Sequence, residues 1–171
     1  MLHKKTLLKE VIELAHCDKN CSRCDHACMH GSGVLAKGDK KRIAEYLGMN
    51  EGELEEKFLE KIEKFNTPGL RPKLLRKDDK PYGQCIFYSP QKGCTIHPVK
   101  PLECRTSTCK PIGEQTSIWF NVNFFVNKDD PQSIREFKQY LDAGGKTMEG
   151  AELSDFVPDR EKLRKIINYE E

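Results

Sequence analysis

The chain has 171 residues, 37% hydrophobic and 33% charged, with 29 basic side chains against 27 acidic ones for a formal charge of +2. That length suits one domain with a modest core, and a balance this even argues against nucleic acid as a partner, because no basic excess is on hand to neutralise phosphates. The opening Met1-Leu2-His3-Lys4-Lys5-Thr6-Leu7-Leu8-Lys9-Glu10 is interrupted by charge too early for a secretory leader, and no apolar run approaches the roughly 20 residues that span a bilayer. A cytoplasmic protein without membrane association is the expectation.

Residues 6–16 read as an amphipathic helix with Leu7, Leu8, Val11, Ile12 and Ala15 on one stripe. A second helix is expected from Asp39 as N-cap, through Ile43, Ala44, Tyr46 and Leu47, to a stop at Gly48. A third follows Asn50, which stands at capping-box spacing from Glu53, and is expected to carry Leu54, Phe58, Leu59 and Ile62. The short link between the two predicts a helical hairpin.

From Thr67 to Gly83 three prolines and two glycines punctuate the chain, leaving a short strand at Lys73–Lys77 and a turn at Asp78–Gly83. Cys85-Ile86-Phe87-Tyr88 and Cys94-Thr95-Ile96-His97 flank a loop at Ser89–Gly93 and predict a β-hairpin. Ile118–Val126 alternates apolar and polar residues and predicts another strand. Two helices close the chain, one from Pro131 to Gly144-Gly145 and one from Pro158 through Leu163, Ile166 and Ile167. The fold class is α+β: a small, mainly helical single domain over 1–171 with a short antiparallel β-meander. Within it, 17–109 forms a cysteine-cluster core and 127–171 a helical extension.

Eight cysteines dominate the chemistry. In a reducing compartment such a count points to metal ligands rather than disulfides. Cys17, Cys21, Cys24 and Cys28 fall within twelve residues, and their CxxC step lets two thiolates reach one ion across a tight turn. Cys85, Cys94, Cys104 and Cys109 are spread over the predicted hairpin and the turn after it. All eight are candidate metal ligands, serving one interleaved site or two. The Cys17-x3-Cys21-x2-Cys24 spacing matches the radical S-adenosylmethionine signature. However, Arg23 stands where those enzymes carry an aromatic, and the repeated strand–helix units of their barrel are missing.

The pairing of the first cysteine knot with CIFYSPQKGCTIHPVKPLECRTSTC resembles the CxxCxxCC family of zinc- or iron-chelating proteins, and flagellin lysine N-methylases carry a related cysteine-cluster domain. The resemblance runs from about Cys17 to Cys109, and its most specific element is Cys94-x-Ile96-x3-Lys100-Pro101-x2-Cys104-Arg105 preceded by Cys85-x-Phe87. The chain departs from the family pattern where Cys28 stands alone before Met29 and His30, and where His97 and Lys100 replace a tyrosine and an arginine. His30 and His97 are therefore further donor candidates.

Arg105, beside Cys104, is a candidate cofactor-binding residue that would donate to sulfur or offset thiolate charge. Tyr88, Trp119 and Phe124-Phe125 read as core.

Thiolate ligation suits an iron–sulfur cluster and Zn2+ alike. The compact first arc, and the lack of a CxxC in the second cluster, favour a [4Fe-4S] cluster over Zn2+. Three functions follow: an iron–sulfur protein for electron transfer, or for a methyl-transfer type of reaction by resemblance to the flagellin methylase group; a structural zinc module that binds a protein partner; and an iron or zinc carrier. No dinucleotide loop, P-loop or HExxH pair is present, and Gly31-Ser32-Gly33 is too short to cradle phosphate. The sequence therefore identifies no catalytic residue and fixes no oligomeric state.

Overall fold

The protein is described here by a computed structural model of residues 1–16 and 26–171. Cys17, Cys21 and Cys24 lie outside the described residues. The chain divides into two compact units. One is Met1–Ala15 with Glu63–Pro68 and Lys110–Glu171; the other is His16–Ile62 with Gly69–Cys109. Together they make a mainly helical α+β structure with short two-stranded antiparallel sheets. Among the described residues, no helix is long and apolar enough to cross a membrane.

The first unit holds α1 (Leu8–Ala15), α6 (Gly113–Phe124), α7 (Pro131–Asp142), α8 (Leu153–Phe156) and α9 (Arg160–Ile167). Val11 and Ala15 of α1 are buried on the expected stripe, whereas Leu7, Leu8 and Leu14 remain exposed. Asp130 caps α7 by accepting from the Gln132 N–H, with Pro131 in the first turn where a missing N–H costs nothing. Asp159 does the same for α9 through the Lys162 N–H. Phe137 packs edge-on against Phe65 at 5.3 Å and Phe156 at 5.5 Å.

The predicted strand at Ile118–Val126 is instead the body of α6. Its buried residues are Thr116, Trp119, Phe120 and Val122, and the first three form a helical i, i+3, i+4 face. The apparent alternation came from aromatic and β-branched residues that serve a helix as well as a strand when tertiary packing favours it. Trp119 is core, as expected, and its Nε1 donates to the Thr6 carbonyl at 3.2 Å.

In the second unit α3 (Asp39–Leu47) ends at Gly48, whose φ of 69° gives the left-handed cap a glycine adopts without strain. Asn50 then caps α4 (Glu51–Phe58), accepting from the Glu53 N–H at 2.8 Å. Ile43, Ala44 and Leu54 of this helical hairpin share one core with Leu59, Cys85, Phe87 and Ile96.

Helix α4 stops at Phe58 rather than carrying Leu59 and Ile62. The chain turns extended into β1 (Leu59–Lys64), which pairs with β2 (Thr67–Pro72). A two-residue turn joins them, with Phe65 and Asn66 at φ of 48° and 53°. This is the handedness that suits strand twist. Glu60 fixes the stem: Arg76 grips it with a two-pronged fork at 2.9 and 2.8 Å, and Arg71 adds a contact at 2.9 Å. Tertiary pairing here overrides the helical preference of the Glu- and Lys-rich segment.

Strand β3 (Leu74–Arg76) pairs antiparallel with β4 (Gly83–Cys85), Leu74 opposite Cys85. Gly83 is required there, because a Cβ would lie 2.4 Å from the Leu75 carbonyl oxygen. Strands β5 (Tyr88–Ser89) and β6 (Gly93–Cys94) form a separate hairpin, so the expected single meander is resolved into distinct two-stranded sheets. A 3-10 turn (His97–Val99) and α5 (Leu102–Thr106) follow.

Candidate metal centre

Four of the candidate cysteines come from four different elements of the second unit. Helix α2 (His26–His30) packs on β4, bringing Cys28 towards Cys85. Cys94 ends β6, after a loop closed by Gly93 at φ 73°. Cys104 lies in α5. Cys85 is buried, Cys28, Cys94 and Cys104 are half-buried, and all four carry thiols rather than disulfides.

These thiols share one electrostatic neighbourhood. Burial pushes the Cys104 thiol up to about 12, the Gly33 N–H pulls it back by hydrogen bonding to sulfur, and the charges of Cys28, Cys85 and Cys94 push it up further. Cys85 is raised to about 11, again by burial first. The Phe87 and Tyr88 N–H groups oppose that rise, while Cys28 and Cys94 add to it. Desolvation and like charge therefore both disfavour bare thiolates, and a cation among them would reverse that balance.

Cys109 is exposed. Among the described residues, no three His, Cys, Asp or Glu side chains converge closely enough to hold an ion by themselves.

The position of Cys104 depends on a strap, residues 31–36, whose glycines are too short a run to cradle phosphate but serve the thiol instead. On one side the Ser32 hydroxyl donates to the Pro72 carbonyl at 2.6 Å, and the Leu35 N–H to Leu70 O at 2.9 Å. On the other side the Val34 N–H donates to Glu103 Oε2 at 2.6 Å. Held between them, Gly33 meets Cys104 so closely that a Cβ would lie 2.4 Å from its Sγ. No local signal in the sequence announces this contact.

Asp39, expected as a helix cap, is instead a buried hub. Its carboxylate accepts from the Ala36 N–H at 2.8 Å and the Leu102 N–H at 2.7 Å, so the strap, α3 and α5 meet at one group. Arg42 and Arg105 pair with the same carboxylate, Arg105 at 3.4 Å. Arg105 thus forms an ion pair with Asp39 rather than facing sulfur alone. Its Nε is nonetheless buried with no hydrogen-bond partner among the described residues, so one donor beside Cys104 is still unused. His97 is exposed in the 3-10 turn, and His30 lies exposed on α2.

The donor set fits a metal that takes thiolate sulfur. Four grouped thiols, N–H donors aimed at two of them, an orphaned buried Nε and a glycine cradle that a Cβ would fill all suit sulfur ligation. A family model, CxxCxxCC, described as a "putative zinc- or iron-chelating domain", matches residues 16–139. No curated protein and no solved structure matches the chain.

Proposed function

The chain belongs to the CxxCxxCC family of zinc- or iron-chelating domains, and from that premise we propose that it is a cytoplasmic electron carrier built around an iron–sulfur cluster of the [4Fe-4S] type. Cys28, Cys85, Cys94 and Cys104 are the ligands we assign from the described residues, with Cys17, Cys21 and Cys24 supplying the rest of the set. The observation that carries this reading is that cysteines from separate elements sit close together: α2 with Cys28 packs on β4 with Cys85, Cys94 packs against the core that holds Cys85, and Cys28, Cys85 and Cys94 all act on Cys104.

When bound, such a cluster supplies one-electron redox chemistry. The chain's own part is to hold the sulfurs and to tune them. The Gly33, Phe87 and Tyr88 N–H groups hydrogen-bond to ligand sulfur, which favours the more negative state. Phe87 and Ile96, buried in the core that also contains Cys85, keep water from that side of the site.

Anaerobic protein made with adequate iron should be brown, contain acid-labile sulfide and bleach under dithionite. A colourless protein holding stoichiometric zinc and no sulfide would decide against the cluster and for a structural zinc module, because zinc has a filled d shell and no redox chemistry.

A further inference from the structure

Helix α2 begins and ends with histidine. His26 and His30 stand four positions apart (i, i+4), so both project from the same face of one helical turn. Their ring centroids lie 4.8 Å apart, with the rings inclined at 63°. Both residues are exposed, and neither imidazole has a hydrogen-bond or ion-pair partner among the described residues. His30 also packs edge-on against Tyr82 at 6.0 Å, which restricts its ring. Two imidazoles on one tetrahedral ion, at metal–nitrogen distances of about 2.0 Å, put their ring centroids roughly 5 Å apart. The observed spacing already matches that requirement.

We propose that His26 and His30 form a second metal site, separate from the thiols, that takes a divalent late first-row ion through two imidazole nitrogens, with water filling the remaining positions. Imidazole suits this class of ion better than it suits hard cations such as calcium or magnesium. The bound ion acts as a clip. A helix of five residues is far shorter than one that holds its own shape in water. A bridge between its first and last residues fixes the one turn that carries Cys28, which lies between them on the opposite face. The site does not depend on which metal the thiols take.

The test uses the full-length protein as purified, titrated with Ni2+ and followed by the histidine ring signals in nitrogen-15 NMR. Selective broadening of His26 and His30, saturating at one equivalent, is expected. The variants His26→Gln and His30→Gln should each bind at least about tenfold more weakly, because the second imidazole acts at high effective concentration. Amide hydrogen exchange across residues 27–31 should slow with Ni2+ in the parent protein and not in His30→Gln. Equal broadening of all five histidines, or unchanged affinity in both variants, would overturn the site. Selective binding without slowed exchange would overturn the clip. A protein with no metal on its thiols that still binds Ni2+ selectively would count against the cluster reading and leave this one standing.

Discussion

Replacing Gly33 with alanine adds one methyl group at the tightest approach in the thiol site. Its Cβ would lie 2.4 Å from Cys104 Sγ, 2.8 Å from the Cys104 backbone nitrogen and 3.3 Å from Glu103 Cβ. Heavy atoms in ordinary contact sit about 3.5–4.0 Å apart, so the overlap with sulfur is about 1 Å or more. One of the atoms struck is backbone, and the strap cannot retreat without breaking its bonds to Pro72, Leu70 and Glu103. Overpacking of this kind costs about 1–3 kcal/mol. The upper end is expected, because displacing the strap also loses the Gly33 N–H bond to sulfur. A loss of about 3 kcal/mol at the site is roughly a hundredfold in metal affinity. The assay is competition for the metal against a graded chelator, alongside urea unfolding. Gly31→Ala serves as the control, since its Cβ would meet nothing closer than the Ala27 carbonyl oxygen at 3.9 Å. Gly33→Ala protein with the metal affinity and urea midpoint of Gly31→Ala would refute the claim that this cradle positions Cys104.

Cys104→Ser should lose most of the bound metal, whereas Cys109→Ser should keep it, because Cys109 is exposed while Cys104 is held in the glycine cradle; equal metal content in the two variants would sink the ligand assignment. Stripping the metal from reduced protein should lower the unfolding midpoint of the second unit, since ligand binding energy becomes folding energy; calorimetric traces that superimpose with and without metal would contradict this. Arg76 first, then Arg71 and the Leu74 N–H, hold Glu60 down at about 2 against the opposing effect of burial. A carboxylate lowered from 4.5 contributes stability that is fully present above about 4.5 and is lost as the pH falls towards 2. Discounted for the partly exposed Arg76 partner, Glu60→Gln should cost about 1–2 kcal/mol at neutral pH and flatten the acid limb of the stability profile; a variant with the parent's acid limb would assign that limb to other carboxylates.

The parts of this molecule that could be read ahead are those fixed by neighbours in the chain. Gly48 and Asn50 mark the end of α3 and the start of α4 through backbone handedness and a side-chain cap, each complete within a few residues. Pro131 and the glycines at 144 and 145 bracket α7 for the same reason. The cysteines declare their chemistry by number and spacing. What could not be read depends on partners remote in sequence. Leu59–Lys64 becomes a strand because Glu60 finds Arg71 and Arg76 across a hairpin. Residues 113–124 become a helix because Thr116, Trp119 and Phe120 have a core to enter on one helical face. Gly33 gains its role from a backbone approach to Cys104 that neither residue's own neighbourhood encodes.

The charge balance around Asp39 separates two roles that a basic residue beside a thiolate is usually given together. Asp39 is buried beside the turn that presents Cys104, where its carboxylate accepts from the Leu102 N–H. Left alone it would add to the repulsion that already raises the thiols, and an uncompensated buried charge is strongly destabilising. Arg42 and Arg105 compensate it, so the positive charge of Arg105 is committed largely to a carboxylate rather than to sulfur. What Arg105 still offers the site is directional: one buried N–H that the carboxylate does not use. A guanidinium can divide its work in this way because its donors are fixed in different directions on one plane, which a lysine ammonium cannot reproduce. Charge compensation and a directed hydrogen-bond donor are thus met by one side chain, while Asp39 ties the strap, α3 and the turn before Cys104 into a single frame.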